Sequence, residues 1–143
     1  MSIGRIGIGT RIAALAAAVV LLGGCSAGGT SARTVEVGMR DVLFEPATIQ
    51  LQASEPVRLV FRNDGKLVHD FTVQKMPAKD VDAHGPEAVH GHESASESAL
   101  HLALKGGQSG EIRLTPLEPG DYEYICTEPG HREAGMRGIL RVS

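Results

Sequence analysis

The sequence predicts an all-β protein, a Greek-key β-sandwich of about eight strands with a long histidine-containing loop insertion. Three observations carry this. Apolar residues recur in short alternating runs enriched in Val, Ile, Leu and Thr, each run ends at Gly, Pro, Asn or Asp, and no stretch after residue 33 keeps a helical period. The segment LEPGDY, Leu117 to Tyr122, adds a local signature of Greek-key sandwiches. In that corner a Tyr hydroxyl donates to a backbone carbonyl a few residues upstream, so Tyr122 is expected to be architectural.

The elements follow in order. TVEVGMR (Thr34 to Arg40) alternates and stops at Asp41, and ATIQLQA (Ala47 to Ala53) follows a proline. VRLVFRN (Val57 to Asn63) ends in the turn Asn63 to Gly65, after which HDFTVQK (His69 to Lys75) begins. The second half supplies LHLAL (Leu100 to Leu104), SGEIRLT (Ser109 to Thr115), DYEYIC (Asp121 to Cys126) and GILRVS (Gly138 to Ser143). Between Met76 and Ala99 the chain is rich in Ala, Ser, Glu, Gly and His and holds too little apolar material for a core of its own, so a mobile loop is expected there.

The start of the chain is of another kind. Arg5 and Arg11 precede the apolar run Ile12 to Leu22, too short to span a bilayer comfortably, and Gly23, Gly24 and Cys25 follow. This is the pattern of a secretory signal. The residues LGGC, Leu22 to Cys25, resemble the lipobox of bacterial lipoproteins, which implies cleavage before Cys25 and a lipid on its sulfur. A plain signal peptide cleaved nearby is the alternative. Three segments are therefore expected: a signal over residues 1–24, a flexible tether over 25–33, and one domain over 34–143. The lipid on Cys25 would be the membrane contact and would place the domain outside the cytoplasm, in the periplasm or on the outer surface.

Residues 1–24 carry two of the 14 Lys+Arg and none of the 17 Asp+Glu, so their removal leaves a formal charge of −5, which speaks against nucleic acid as a partner. With Cys25 lipidated, Cys126 is the remaining thiol of two, and no intramolecular disulfide is available in an oxidising compartment.

That cysteine sits in YEYICTEPGHREAGM, Tyr122 to Met136. Cys126, His131 and Met136 offer a thiolate, an imidazole and a thioether, with four residues between neighbouring members. These are donors suited to copper, and a second imidazole would complete a blue-copper set. His69 supplies it if strand pairing brings its strand beside the one ending at Cys126. Pro129 and Gly130 turn the chain so that His131 comes back, and Gly135 gives Met136 freedom to approach.

The segment YEYICTEPGHREAGMRGILRV resembles the C-terminal signature of the cupredoxins, the small blue copper proteins, and RNDG with HDF resembles the family's first ligand region. The Cys-x4-His-x4-Met spacing is similar to that of auracyanins and rusticyanins. The resemblance implies one type 1 copper ion held by His69, Cys126, His131 and Met136, passing single electrons to and from redox proteins such as cytochromes or membrane oxidases and reductases, without bond-breaking catalysis. One position departs from the common pattern: Asp70 follows the first histidine where many members have Asn. An ionised carboxylate there would favour Cu(II) and lower the reduction potential. Thr127 is expected either to bond across the site or to be an ordinary loop hydroxyl.

Other readings stand beside this one. Zinc is disfavoured by the methionine, and a cysteine hydrolase lacks an evident acid to orient His131 as its base. His84, His90, His92 and His101 give the insertion a histidine-rich character that would suit a second metal or a copper-capture and delivery role, while Glu87, Glu93 and Glu97 suit an ordinary solvated loop.

Overall fold

The structure is a computed structural model that describes Met1 and residues 32–86 and 99–143. The signal segment, Cys25 and most of the tether, and His90 and His92 of the insertion lie outside the described residues.

Ten strands run in chain order: β1 Arg33–Arg40, β2 Leu43–Glu45, β3 Thr48–Leu51, β4 Val57–Asn63, β5 His69–Val73, β6 Ala78–His84, β7 Leu100–Leu104, β8 Ser109–Pro116, β9 Gly120–Ile125 and β10 Arg137–Val142. They form two five-stranded sheets, ordered β2-β1-β4-β8-β6 and β3-β10-β9-β5-β7. The expected sandwich is present, and all eight expected strands appear within a few residues of their expected ends.

Two strands were not expected. β2 is three residues long, too short for alternation to show, and pairs antiparallel with β1. β6 corrects the first part of the mobile loop expected over Met76 to Ala99, of which residues 87–98 lie outside the described residues: Ala78–His84 pairs antiparallel with β8 through a bulge between Lys79 and Asp82. Its residues are mostly exposed, so backbone pairing with β8 and not apolar burial makes it a strand. As an edge strand it carries Lys79, Asp80 and Asp82, charges that discourage further pairing.

The core lies between the sheets. Phe61 and Phe71 pack with ring centroids 4.7 Å apart, Phe71 and Tyr124 also at 4.7 Å, and Phe44 meets Tyr124 edge-on at 5.0 Å. Each ring comes from a different strand, so the cluster ties β2, β4, β5 and β9 together across both sheets. The Tyr122 hydroxyl donates to Glu118 O at 3.0 Å, the corner expected from LEPGDY. No helix among the described residues is long and apolar enough to cross a membrane.

Candidate metal centre

One end of the second sheet gathers the expected residues. β5 lies beside β9, with Thr72 opposite Ile125, so His69 at the start of β5 comes near Cys126 just past the end of β9. The loop from Cys126 then folds back on itself. His131 N–H donates to Glu128 O at 3.0 Å, Met136 N–H to His131 O at 2.9 Å, and Cys126 N–H to Met136 O at 3.1 Å. Gly130 (φ +82°) and Gly135 (φ +107°) take left-handed conformations that a side chain would strain. This tightness fixes the spacing of the three loop residues.

Nitrogen and sulfur converge there. His69 Nδ1 lies 3.3 Å from His131 Nδ1, and Cys126 Sγ lies 3.4 Å from the same His131 atom. The donor atoms of His69, Cys126 and His131 all lie within 4.8 Å of one another, close enough for a single ion to touch all three. His69, Cys126 and Met136 are fully buried, and His131 is half-buried at the edge. Met136 therefore shares the loop and its backbone bonds. Its burial against the core is equally what a packing residue would show.

Burial keeps the donors of the metal-free site uncharged. Burial pushes the Cys126 thiol up to about 11, so at neutral pH without metal the sulfur keeps its proton. Burial and then the neighbouring His131 hold the His69 imidazole below its usual value, so its ring is neutral. His69 Nε2 is buried with no hydrogen-bond partner among the described residues, so packing holds that ring.

Surrounding residues hold this arrangement. Buried Asn63 donates through Nδ2 to Leu67 O (2.8 Å) and Leu104 O (2.9 Å) and accepts from Gly65 N–H (3.0 Å). Leu104 is opposite His69 in the sheet, so Asn63 ties the incoming turn to the strand that flanks His69. Asp70 Oδ2 accepts from Thr127 N–H at 2.9 Å and from Thr127 Oγ1 at 2.8 Å, bridging β5 to the loop. Asp70 N–H donates to Cys126 Sγ at 3.5 Å, and Sγ lies 3.7 Å from Asp70 Oδ2. Thr127 is thus the cross-site partner and not an ordinary loop hydroxyl.

The other two histidines among the described residues are elsewhere. His84 belongs to β6 and pairs with Asp82 at 2.7 Å, and His101 belongs to β7, where it meets Thr72. Among the described residues only His69, Cys126 and His131 form a cluster able to hold a metal ion. Asn63 and Thr72 were not singled out from sequence, since their roles arise from strand register. The sole advance signal for Asn63 is its place at the turn before His69.

Fold and donors together define a small β-sandwich protein built around one cysteine and two histidines at the end of a sheet. The chain belongs to the cupredoxin-like domain family, whose model matches residues 11–140. It is 37% identical over 111 residues to the copper-resistant cuproprotein CopI of Rubrivivax gelatinosus, across 77% of this chain and 66% of that one. Against the CopI of Pseudomonas aeruginosa it is 30% identical over 139 residues, across 78% and 77%. Auracyanin-B of Chloroflexus aurantiacus is 36% identical over 126 residues, across 80% of this chain and 54% of that one. A solved structure of auracyanin B has a TM-score of 0.60 at 28% identity, covering 80% of this chain and 91% of that chain.

Proposed function

We propose that the protein holds one copper ion in a type 1 site and transfers single electrons between redox partners outside the cytoplasm, anchored through a lipid on Cys25. The observation that carries this is the convergence of His69 Nδ1, His131 Nδ1 and Cys126 Sγ, with His69 and Cys126 buried and His131 half-buried. His69 and His131 would be the imidazole ligands, Cys126 the thiolate and Met136 the axial thioether. When bound, copper supplies a Cu(I)/Cu(II) couple. The chain contributes a donor set fixed by backbone bonds within the loop and by Asp70 and Asn63 around it, so little has to rearrange between the two states. Half-buried His131 gives the centre its edge toward solvent and partners such as cytochromes or membrane oxidases. Four protein donors leave no open position for a substrate, so the protein is read as a carrier and not an enzyme. The test is the visible spectrum after Cu(II) is added to residues 26–143: an intense blue band is expected, and a colourless protein would sink the reading.

A copper-capture or delivery role is the second reading, favoured by the two CopI relatives, which are named copper-resistant cuproproteins. It predicts ready loss of copper to an acceptor apoprotein, whereas a carrier keeps its copper while exchanging electrons.

Two further results follow. Copper must displace the Cys126 proton, while neutral His69 has none to lose above pH 7. The apparent Cu(II) affinity should therefore rise about tenfold per pH unit from about pH 7 upward and level off as pH approaches the thiol's value of about 11. A competition titration at several pH values checks this, and a flat profile contradicts it. Asp70→Asn should raise the reduction potential, because it removes negative charge 3.7 Å from the sulfur and keeps an acceptor for Thr127. A unit charge about 5 Å away at an effective dielectric of about 20 is worth ~3 kcal/mol, hence a rise on the order of 100 mV. Voltammetry giving an unchanged or lower potential refutes the role of the charge.

A further inference from the structure

The Asp70 carboxylate is bonded on the side away from the loop as well. Its Oδ1 accepts from the Thr72 hydroxyl at 2.7 Å, and Thr72 Oγ1 lies 2.8 Å from His101 Nδ1. Sheet geometry brings the three together. Asp70 and Thr72 are two residues apart on β5 and share a face, and the antiparallel register sets Thr72 opposite His101 on the edge strand β7. Asp70 and Thr72 are each 2% exposed, whereas His101 is half-buried. A row of polar groups thus runs from the solvent edge of the sheet to the atom beside the Cys126 sulfur.

A hydroxyl has one proton to give. With that proton on Asp70 Oδ1, Thr72 can only accept from His101, so His101 must carry its hydrogen on Nδ1. The row then points one way: His101 donates to Thr72, Thr72 to Asp70, and Thr127 closes on the same carboxylate from the other side. Each donor in such a row strengthens the next.

We propose that His101 is a remote positioning residue of the metal centre, whose Nδ1–H orients the Thr72 hydroxyl and thereby sets how the Asp70 carboxylate distributes its charge beside Cys126. The proposal rests on the copper reading above. A strong donor at Oδ1 draws negative charge away from the side that faces the sulfur. Weakening the row returns that charge, favours the oxidised centre and lowers the reduction potential. His101 therefore belongs to the centre.

The first test needs no copper. Nitrogen chemical shifts of the His101 ring in the metal-free protein, recorded with the ring neutral, should show a protonated Nδ1 and a bare Nε2; the opposite tautomer reverses the row and overturns the proposal. In the copper-loaded protein His101→Phe should lower the potential and Thr72→Val should lower it further. His101→Asn, which keeps an N–H donor near the Nδ1 position, should stay at the wild-type value. In an Asp70→Asn background His101→Phe should shift nothing. Equal potentials for wild type and His101→Phe, or equal shifts for His101→Phe and His101→Asn, overturn the role. A wild type that takes up no copper removes the metal-centre reading and the tuning role together, an outcome distinct from a blue protein whose potential ignores residue 101.

Discussion

Cys126→Ser is expected to abolish the intense visible band of the copper-loaded protein and to weaken Cu(II) binding by at least ~100-fold, more than the 10–100-fold typical of residues that only support a ligand. Serine keeps the size of the side chain and replaces a soft sulfur by a hard oxygen that stays protonated at neutral pH, so both the soft-metal bond and the thiolate that generates the colour are lost. The fold should survive. The new hydroxyl sits where Sγ lies 3.7 Å from Asp70 Oδ2 and can donate to it, and the backbone bond from Cys126 N–H to Met136 O is untouched. A buried thiol exchanged for a hydrogen-bonded hydroxyl costs about 1 kcal/mol in stability. The decisive comparison is colour against melting temperature: a variant that melts close to wild type and remains blue would show that Cys126 is not the thiolate ligand, and the central assignment would fall.

How far this site was legible depends on which physical signal each part leaves in sequence. Alternation marks a strand that buries one face, and β4 and β7 show it cleanly in their buried-then-partly-exposed rhythm. β6 buries almost nothing, so its pairing with β8 leaves no apolar signature, and the histidine-rich composition around it reads as loop. Cys126, His131 and Met136, the donors proposed for the loop, were visible because their spacing is local. His69 needed the assumption that β5 lies next to β9, which the structure bears out through Thr72 and Ile125. The contact between Thr72 and His101 was beyond reach, since nothing in a chain with 28 residues between them states the register of β5 against β7. Asp70 was recognisable as a departure from a family pattern, but its place between two threonines was not. What the sequence encodes locally is the chemistry of the donors, and what it encodes through pairing is their support.

Gly138→Ala is expected to be the most disruptive glycine-to-alanine change among the described residues. Gly138 stands opposite Tyr124 in the β9–β10 pair, and a Cβ added there would meet Tyr124 Cζ and Oη at 2.3 Å and Ala47 O at 2.4 Å. None of these can step aside cheaply. The Tyr124 ring is fully buried against Phe44 and Phe71, its hydroxyl donates to Pro46 O at 2.8 Å, and Ala47 O is backbone that accepts from Ile139 N–H at 2.9 Å. Overpacking of this kind costs ~3 kcal/mol or more, which for a domain of this size lowers the melting temperature by roughly 10 °C. Gly38→Ala is the control, because a Cβ there meets Glu45 O at an ordinary 3.7 Å and should change stability by less than about 1 kcal/mol. The effect should also reach the metal centre. Gly138 lies two residues after Met136, whose carbonyl accepts from Cys126 N–H, so a shift at the start of β10 pulls on the bond that closes the loop. Copper retention should therefore fall together with melting temperature in Gly138→Ala, whereas in Cys126→Ser it falls alone. A Gly138→Ala protein that melts within a couple of degrees of wild type would mean that β10 can move away from Tyr124, and that the loop holding Cys126, His131 and Met136 is not anchored by that strand.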